Sequence, residues 1–551
     1  MAPSTIAEPS TPEVFPEELP PRPPPTASTS PANWTPLQRH LLTAHLSLSS
    51  LLSLSCASAP SPLLPRLSIL LSNPSPPSPV LTLLTMTIYF LSLGLSPLCF
   101  APLSEHPGIG RRPILLGSLG IFTLANALTA ITGSSGKPIL GLILTMRFLA
   151  GWGAGTSVVL SAPVMRDLYP KEENRGKGLA LVGGAVYLGP ALGPLFGGVV
   201  GERVGWRWVF WIMALFGAAL LASGWFLVRE SSAAKIEYLK VQREKEEAAA
   251  FKVRWRKERL LGVRYFTLRD GKVVMDKGTV PDDLEPPTRL PSGLSTIAPT
   301  AGSDHIEKAQ IRLGQALLRP IRLFCTRPIL TLIALLNGMH FGIYCIVLST
   351  FATLYSERYH QSESSASLHY MAIALGASIA VQVSGRLMDL LHRRLKARYA
   401  ARQTDKKAQE FRMPLGALAT VIVPIGLTWY GWAAERHAHW IVVDIAVVFW
   451  TIGTFALAQV WLAYTVDEFG PFAASASAAS KFWGYLAGFL FPLFSPLLYE
   501  RLGYGVGNTV LAVLFLAIAW PVPILLWLYG PRVRALTWGR SLISEEENSR
   551  Q

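Results

Sequence analysis

The sequence predicts an all-α protein that crosses a membrane about twelve times, and three observations support this prediction. Half of the 551 residues are hydrophobic, the mean hydropathy is +0.34, and only 15% of the residues are charged, whereas about 25% is typical of soluble domains. Apolar runs recur at the length of roughly 20 residues that a helix needs to cross a bilayer. Basic residues collect in the loops of one side, so the net charge of +15 does not indicate binding to nucleic acid.

The apolar runs form two sets of six, which predict two pseudo-symmetric six-helix bundles at residues 39–228 and 326–530. The predicted spans are 40–60, 79–100, 112–132, 138–161, 178–200 and 206–228, then 326–350, 366–388, 414–434, 439–462, 474–498 and 506–529. Residues 1–38, rich in Pro, Ser, Thr and Glu, are predicted to be a disordered tail. Residues 229–325 are predicted to be a central loop, which is either a solvated connector or a regulatory segment, and 531–551 a second tail.

Loop charges predict the orientation of the spans. Arg111 and Arg112 follow span 2, and a basic run at residues 392–412 follows span 8. Cytoplasmic loops carry an excess of Lys and Arg, so both termini and the central loop are expected in the cytoplasm. Asp467 and Glu468 after span 10 depart from this pattern, but acidic residues contribute little to it.

Span 5 carries the most distinctive pattern of the chain. The pattern consists of Gly189, Pro190, Gly193, Pro194, Gly197 and Gly198. Glycines four residues apart lie on one face of a helix, and each proline removes a backbone donor, which costs about 3 kcal/mol in a soluble helix. In lipid such prolines are tolerated where neighbouring helices pack against them. The pattern therefore predicts a bent helix in close contact with a partner helix, and a general small-residue packing face is the alternative.

This pattern resembles the helix-5 antiporter motif of the major facilitator superfamily, and in particular that of the fungal twelve-spanner drug–proton antiporters. The W-R-W-V-F-W segment at residues 206–211 resembles the start of helix 6 in that family. The resemblance implies the major facilitator fold, with a cavity between two bundles. It also implies proton-coupled efflux of a small amphipathic compound such as a drug, toxin or secondary metabolite. We therefore expect a monomeric plasma-membrane transporter whose partners are its substrate, protons and the lipid bilayer, with no cofactor.

Charged residues at the cytoplasmic ends of the spans resemble the gate of the same family. The candidate gate residues are Glu105, Arg111, Arg112, Asp167, Arg175 and Asp389. The segments 102–105 and 110–113 resemble the family's loop 2–3 motif with two extra residues between acid and glycine. The acid of this motif is expected to pair with the arginines and to accept amides at a helix N-terminus. The alternatives are that the arginines only set the topology and that the loop 4–5 pair is solvated.

Polar residues within the spans are candidates for proton coupling and substrate binding. Arg147 lies near the middle of span 4, where a guanidinium is costly unless it faces a partner or water. It resembles the arginine of the family's helix-4 motif, which implies proton transfer or substrate charge sensing, and snorkelling is the alternative. His340 in span 7 titrates near neutral pH, although a structural hydrogen bond is the commoner role of such a residue. The cavity candidates are Asn337, Tyr344, Gln382 and Gln459.

Other motifs are missing from the sequence. It contains no G-x-x-x-x-G-K-[ST] loop, so ATP-driven transport is disfavoured, and no HExxH or nucleophile elbow, so an enzyme is not expected. The four cysteines have no metal-ligand spacing and are expected to be free thiols, with no metal site. The basic run after span 8 fits anionic lipid better than nucleic acid. An importer of a small solute such as a polyamine or sugar, and a nontransporting membrane sensor, stay open as alternatives.

Overall fold

The chain folds into long helices in a computed structural model. The structure describes residues 14–15, 34–71, 78–106, 108–132, 139–169, 172–232, 235–243, 245–246, 249–250, 265–269, 272–276, 313–400, 408–469 and 473–536. By length and composition, 11 helical stretches within these residues are able to cross a membrane. The last stretch is 60 residues long and contains two crossings, so the prediction of about twelve spans is confirmed.

The first bundle has six crossings. Its helices are α1 (Pro36–Ser58), α2 (Leu64–Leu70), α3 (Pro79–Glu105), α4 (Arg111–Ile131), α5 (Leu140–Leu168), α6 (Glu172–Arg203) and α7 (Trp206–Leu227). The first crossing differs from its predicted bounds of 40–60. It begins at Pro36, where Thr35 and Gln38 form a capping box, and it continues through a 3₁₀ turn at Ser61–Leu63 into α2.

The second bundle also has six crossings. Its helices are α8 (Leu313–Thr326), α9 (Pro328–Arg358), α10 (Glu363–Leu368), α11 (Tyr370–Ala400), α12 (Met413–Glu435), α13 (Trp440–Phe469), α14 (Ala473–Ala519) and α15 (Pro521–Ala535). Helix α14 reverses direction at Gly503, whose φ of 67° favours glycine. Glu435 accepts the amide of Tyr504 at 2.7 Å and so caps the arm that follows. The reversal separates spans 11 and 12.

Two pairs of helices join the bundles in a pseudo-symmetric way. Helix α3 packs against α14, and α6 packs against α10 and α11. Spans 2 and 5 of the first set therefore meet spans 11 and 8 of the second set. Buried side chains of both bundles belong to one continuous hydrophobic core. This arrangement leaves a region between the bundles where the middles of their helices approach each other.

Short elements outside the crossings differ from the sequence prediction. The strands β1 (Val14–Phe15), β2 (Tyr265–Arg269) and β3 (Lys272–Asp276) form an antiparallel sheet in the order β1-β2-β3. The prediction assigned these residues to a disordered tail and a loop. It did not use the short apolar runs at 265–269 and 272–276, which flank an Asp-Gly pair typical of a hairpin turn. Helix α8, also within the predicted loop, lies against the second bundle through stacking of Phe324 on Trp483 at 4.9 Å.

Candidate functional site

The glycine face of α6 packs against α1 of the same bundle. A Cβ atom on Gly193 would overlap the backbone oxygen of Ser55, and one on Gly197 would overlap that of Ala59. A Cβ atom on Gly189 would lie 2.7 Å from the Cβ of Leu54. These three positions accept only glycine without a shift of backbone. The face thus gives the close helix contact that the sequence predicts, but within one bundle and not between the two.

The second bundle is contacted by the residues that follow this face. A Cβ atom on Gly198 would overlap the side chain of Ser367 in α10. The carboxylate of Glu202 accepts the backbone amide of Ser364 near the start of α10. Glycine at position 198 therefore lets α6 touch α10 directly, and Glu202 binds the helix end beside that contact.

A hydrogen-bonded cluster completes the closure at the same end of the molecule. Ser61 in the 3₁₀ turn of the first bundle donates to the backbone oxygen of Leu348 in α9 at 2.8 Å. Its hydroxyl also lies 2.8 Å from that of Tyr370 in α11. Arg66 donates to the backbone oxygen of Gly201 at 2.8 Å. We use the name seal for two sets of contacts between the bundles. One set joins Ser61 to α9 and α11, and the other joins α6 to α10.

Toward their other ends, α6 and α11 are less closely packed, and we call this end of the molecule the open end. A Cβ atom added to Gly183 in α6 or to Gly385 in α11 would meet no atom within 4 Å. Gln382 and Arg386 of α11 are exposed and line an open cavity of about 470 Å³ together with other residues of the same helix. The structure thus places the predicted cavity residue Gln382 on an exposed face of α11.

Arg147 is fully buried at the centre of the first bundle. Its Nε donates to the backbone oxygen of Thr85 at 3.0 Å, and its Nη2 donates to those of Cys56 at 3.0 Å and Ala57 at 3.3 Å. The guanidinium carbon lies 4.5 Å from the centre of the Tyr89 ring. No carboxylate forms an ion pair with it among the described residues.

These contacts explain how α1 can end inside the membrane. Pro60 has no amide hydrogen, so the carbonyl of Cys56 has no donor four residues ahead of it. The Arg147 guanidinium supplies that donor. The sequence prediction placed this arginine against a partner or water, and in the structure its partners are backbone carbonyls and aromatic rings. It stabilises the break in α1.

Aromatic rings from five helices meet near the midpoints of those helices. This aromatic cluster comprises Phe90, Tyr187, Phe341, Tyr344, Trp450, Phe455 and Tyr485. Tyr187 of α6 contacts Phe455 of α13 with ring centres 5.0 Å apart, and Phe90 of α3 contacts Phe341 of α9 at 5.8 Å. The cluster therefore joins the two bundles at mid-membrane. Sequence analysis singled out only Tyr344 of these residues, because ring contacts between distant helices leave no local pattern.

The remaining polar candidates of the second bundle lie beside this cluster or one helical turn away. His340 Nε2 lies 2.9 Å from the backbone oxygen of Thr454. Asn337 donates to the backbone oxygen of Ser480 at 3.3 Å. Gln459 accepts a hydrogen bond at 3.0 Å from the hydroxyl of Ser384 in α11. Asn337 and Gln459 thus connect helices of the second bundle.

Charged residues at the open end of the first bundle form a network around the start of α4. The Arg111 guanidinium pairs with Asp167 at the end of α5. The carboxylate of Glu230 accepts the backbone amides of Arg111 at 2.9 Å and Arg112 at 3.2 Å. The sequence prediction assigned this capping role to Glu105. It missed Glu230, which lies 119 residues from Arg111.

The second bundle repeats this arrangement at the same end. Arg412 at the start of α12 donates to Asp467 near the end of α13 at 2.7 Å. Arg534 binds the fully buried carboxylate of Glu410 at 2.9 Å. It also pairs with Glu468 at 3.6 Å. The acidic pair after span 10, which departs from the topology rule, therefore has arginine partners.

Of the other three gate candidates, only Asp389 has a side chain that the structure describes. The side chains of Glu105 and Arg175 lie outside the part of the chain whose side chains the structure describes. Asp389 is exposed near the end of α11. The structure thus brings together Arg111, Arg112 and Asp167, and it places Asp389 in the other bundle.

A second polar network lies near the seal, and sequence analysis gave it no role. His369 Nδ1 lies 2.8 Å from one carboxylate oxygen of Asp444, and Tyr355 donates to the other at 2.7 Å. The rings of Tyr355 and His369 are stacked with centres 3.7 Å apart. In the sequence, His369 lies between Ser367 and Tyr370, whose side chains both take part in the seal. No group of three or more His, Cys, Asp or Glu that is able to hold a metal ion occurs among the described residues.

Comparisons with known proteins agree with this architecture. The chain is 31% identical to an uncharacterized transporter of Schizosaccharomyces pombe over 82% of this chain and 81% of the relative. It is 30% identical to efflux pump vrtL of Penicillium aethiopicum, over 82% and 78% of the two chains. It is 31% identical to probable efflux pump mfs2 of Aspergillus flavus, over 82% and 93%.

Solved structures share the fold. The crystal structure of a D-xylose–proton symporter matches with a TM-score of 0.57 and 14% identity, over 88% of this chain and 96% of the other. The human organic anion transporter MFSD10 matches with a TM-score of 0.55 and 16% identity, over 88% and 99%. The family model described as Major Facilitator Superfamily matches residues 46–492. The chain therefore belongs to the Major Facilitator Superfamily, a class of membrane transporters and not of enzymes.

Proposed function

We propose that this transporter exports a small amphipathic compound across the plasma membrane in exchange for protons. The observation that carries the proposal is that the two bundles are closed against each other at the seal, whereas a Cβ atom added to Gly183 or Gly385 at the open end would meet no atom. A transporter that alternates between two such states exposes a central site to one side at a time. The names of two relatives, efflux pump vrtL and probable efflux pump mfs2, support the outward direction.

We infer that the open end faces the cytoplasm. The charged networks at this end include Arg111, Arg112, Arg412 and Arg534, and basic residues are retained on the cytoplasmic side. Both termini are then cytoplasmic, and the structure corresponds to the state that loads substrate from inside. We further propose that the chain acts as a monomer, since the seal forms between its own two bundles.

Opening to the outside requires the seal to separate. Among the described residues, the seal consists of a few hydrogen bonds and the contact of Gly198 with Ser367, and rotation of one bundle against the other would break them. A membrane potential supplies about 2.3 kcal/mol per proton charge per 100 mV. We infer that Arg147 keeps α1 bent through both states and does not bind substrate charge, because its donors are taken by backbone carbonyls.

Reconstituted vesicles test this proposal. The purified full-length chain is inserted into lipid vesicles loaded with rhodamine 6G or 1,8-dihydroxyanthraquinone, and a pH gradient is imposed with no nucleotide present. We expect movement of at least one compound against its gradient that stops when a proton ionophore is added. Movement in the same direction as protons would identify a symporter. Flux that requires ATP, or that is unchanged by the ionophore, would reject proton-coupled export.

A further inference from the structure

We infer that the aromatic cluster is a binding site for a neutral, planar aromatic compound that carries both a ring hydroxyl and a ring carbonyl. The inference rests on the proposed export function, for which it names the substrate class. It starts from polar atoms that are buried in the cluster and its immediate neighbours and that find no partner in the described part of the chain.

Four such atoms come from two facing helix turns. They are Nδ1 of His340, the hydroxyl of Tyr344, Nε1 of Trp450 and the hydroxyl of Thr454. His340 and Tyr344 lie one turn apart on α9, and Trp450 and Thr454 lie one turn apart on α13. The two turns face each other, because His340 contacts the Thr454 backbone and Tyr344 stacks on Trp450 with ring centres 6.0 Å apart. Leaving buried polar atoms unpaired is unfavourable, so a molecule that supplies partners would be stabilised here.

The hydrogen-bonding character of these atoms indicates which partners are needed. The Nε2 atom of His340 faces a backbone oxygen, so it carries the proton and leaves Nδ1 as an acceptor in the neutral ring. The indole nitrogen of Trp450 can only donate. The hydroxyls of Tyr344 and Thr454 can do either. A complementary ligand therefore brings at least one donor and one acceptor, which a ring hydroxyl and a ring carbonyl provide.

The surroundings of these atoms indicate a flat and uncharged ligand. Phe341, Phe455 and Tyr187 offer ring faces and edges around the polar atoms, and aromatic compounds pack favourably against them. His340 has no carboxylate partner among the described residues, and Arg147 directs its donors at carbonyls of its own bundle. A charged ligand would lose water without gaining an opposite charge, which is costly.

Binding measurements on the purified full-length chain test this inference without any proton gradient. The probe is 2,6-dihydroxyanthraquinone, whose ring hydroxyls lie away from the ring carbonyls and are free to donate. Anthracene is the matched compound with the same three rings and no oxygen, and tetraphenylphosphonium is the charged aromatic control. We expect the quinone to bind roughly tenfold more tightly than anthracene, since it pairs with atoms that anthracene leaves unpaired, and the cation to bind most weakly.

Variants of the chain separate the hydrogen bonds from the rings. Trp450→Phe and Tyr344→Phe each remove one polar atom and keep an aromatic ring. Each is expected to weaken quinone binding by roughly three- to tenfold and to leave anthracene binding unchanged. Trp461→Phe and Tyr430→Phe are matched controls, because both residues also carry a buried polar atom without a described partner but lie outside the cluster. They are expected to change neither affinity.

Three results would overturn the inference. They are equal affinity for quinone and anthracene, tighter binding of the cation, or an effect of the control variants as large as that of the cluster variants. Because binding needs no gradient, a failure of proton-driven export would leave a positive binding result intact. Conversely, proton-driven export together with any of these three results would reject only the substrate class.

Discussion

His369 and Asp444 form a side-chain pair that links two helices of the second bundle beside the seal. Nδ1 lies 2.8 Å from the Asp444 carboxylate, and Nε2 lies 2.9 Å from the side-chain oxygen of Gln361. Tyr355 donates to the other carboxylate oxygen of Asp444, and Tyr359 donates to the backbone oxygen of Ala438. The His369–Asp444 contact thus connects the start of α11 with α13 beside the seal, and Tyr355 adds α9 to the same network.

The first prediction is that weakening the His369–Asp444 contact loosens the seal. Asp444→Asn puts an amide donor in place of one of the two carboxylate oxygens that contact His369 and Tyr355, so one of these contacts is lost. A cysteine in place of Ser349, which is buried beside the seal, reports opening through labelling by a membrane-impermeant maleimide. We expect labelling to become faster after Asp444→Asn.

The control for this measurement is Glu357→Gln, which neutralises an exposed carboxylate at the same end. It is expected to leave the labelling rate unchanged. The chain without the added cysteine gives the background from the native thiols. An unchanged labelling rate after Asp444→Asn would show that the His369–Asp444 pair does not control the seal.

The second prediction concerns the packing of α6 on α1. Gly193→Ala and Gly197→Ala would place a methyl group against backbone oxygens, and we expect each to destabilise the protein by about 1–3 kcal/mol. Gly183→Ala is the matched control on the same helix, where the added atom meets open space. It should leave stability unchanged or raise it by up to about 1 kcal/mol. Thermal unfolding of the detergent-purified chain measures the difference. Equal effects at all three positions would argue against the helix contact.

The third prediction is that transport requires the seal to separate. Cysteines in place of Glu202 and Ser364, which are in contact at the seal, can be joined by a short bifunctional thiol reagent that forms reducible disulfides. We expect the cross-linked protein to stop transporting rhodamine 6G or 1,8-dihydroxyanthraquinone and to recover after reduction. The pair Gly183→Cys with Gly385→Cys at the open end serves as control, since neither position has a neighbour and no cross-link should form. Full transport by the cross-linked seal would contradict alternating access.

The fourth prediction separates two roles for Arg147. If its charge alone mattered, Arg147→Lys would be tolerated. Because the guanidinium donates to three carbonyls on two helices, the lysine is expected to lose hydrogen bonds worth about 1.5–3 kcal/mol each and to lower the unfolding temperature. Arg166→Lys on the same helix, where the side chain is 63% exposed, is the control. Unchanged stability of Arg147→Lys with altered substrate preference would instead indicate charge sensing.

Local features of the chain were sufficient for much of the architecture. The number of crossings follows from the length of apolar runs, and the close contact made by the span 5 glycines follows from their spacing on one helix face. Gly193 illustrates the limit of such reasoning. Its spacing predicts a partner helix, but only the folded chain identifies that partner as α1. The same limit applies to Arg111, whose backbone amide is bound by Glu230, a residue 119 positions away that no local pattern identifies.

The sequence by itself determined the class of the protein, its helical crossings and the motifs that indicate its family, because hydropathy and helix periodicity are properties of neighbouring residues. Only the tertiary structure decided which end is closed, that Arg147 supports a break in α1, and that Tyr187 and Phe455 of different bundles touch. These features depend on contacts between residues far apart in the chain, such as Ser61 and Tyr370 at a separation of 309. Contacts of this kind are set by how whole helices pack, and no local pattern records them.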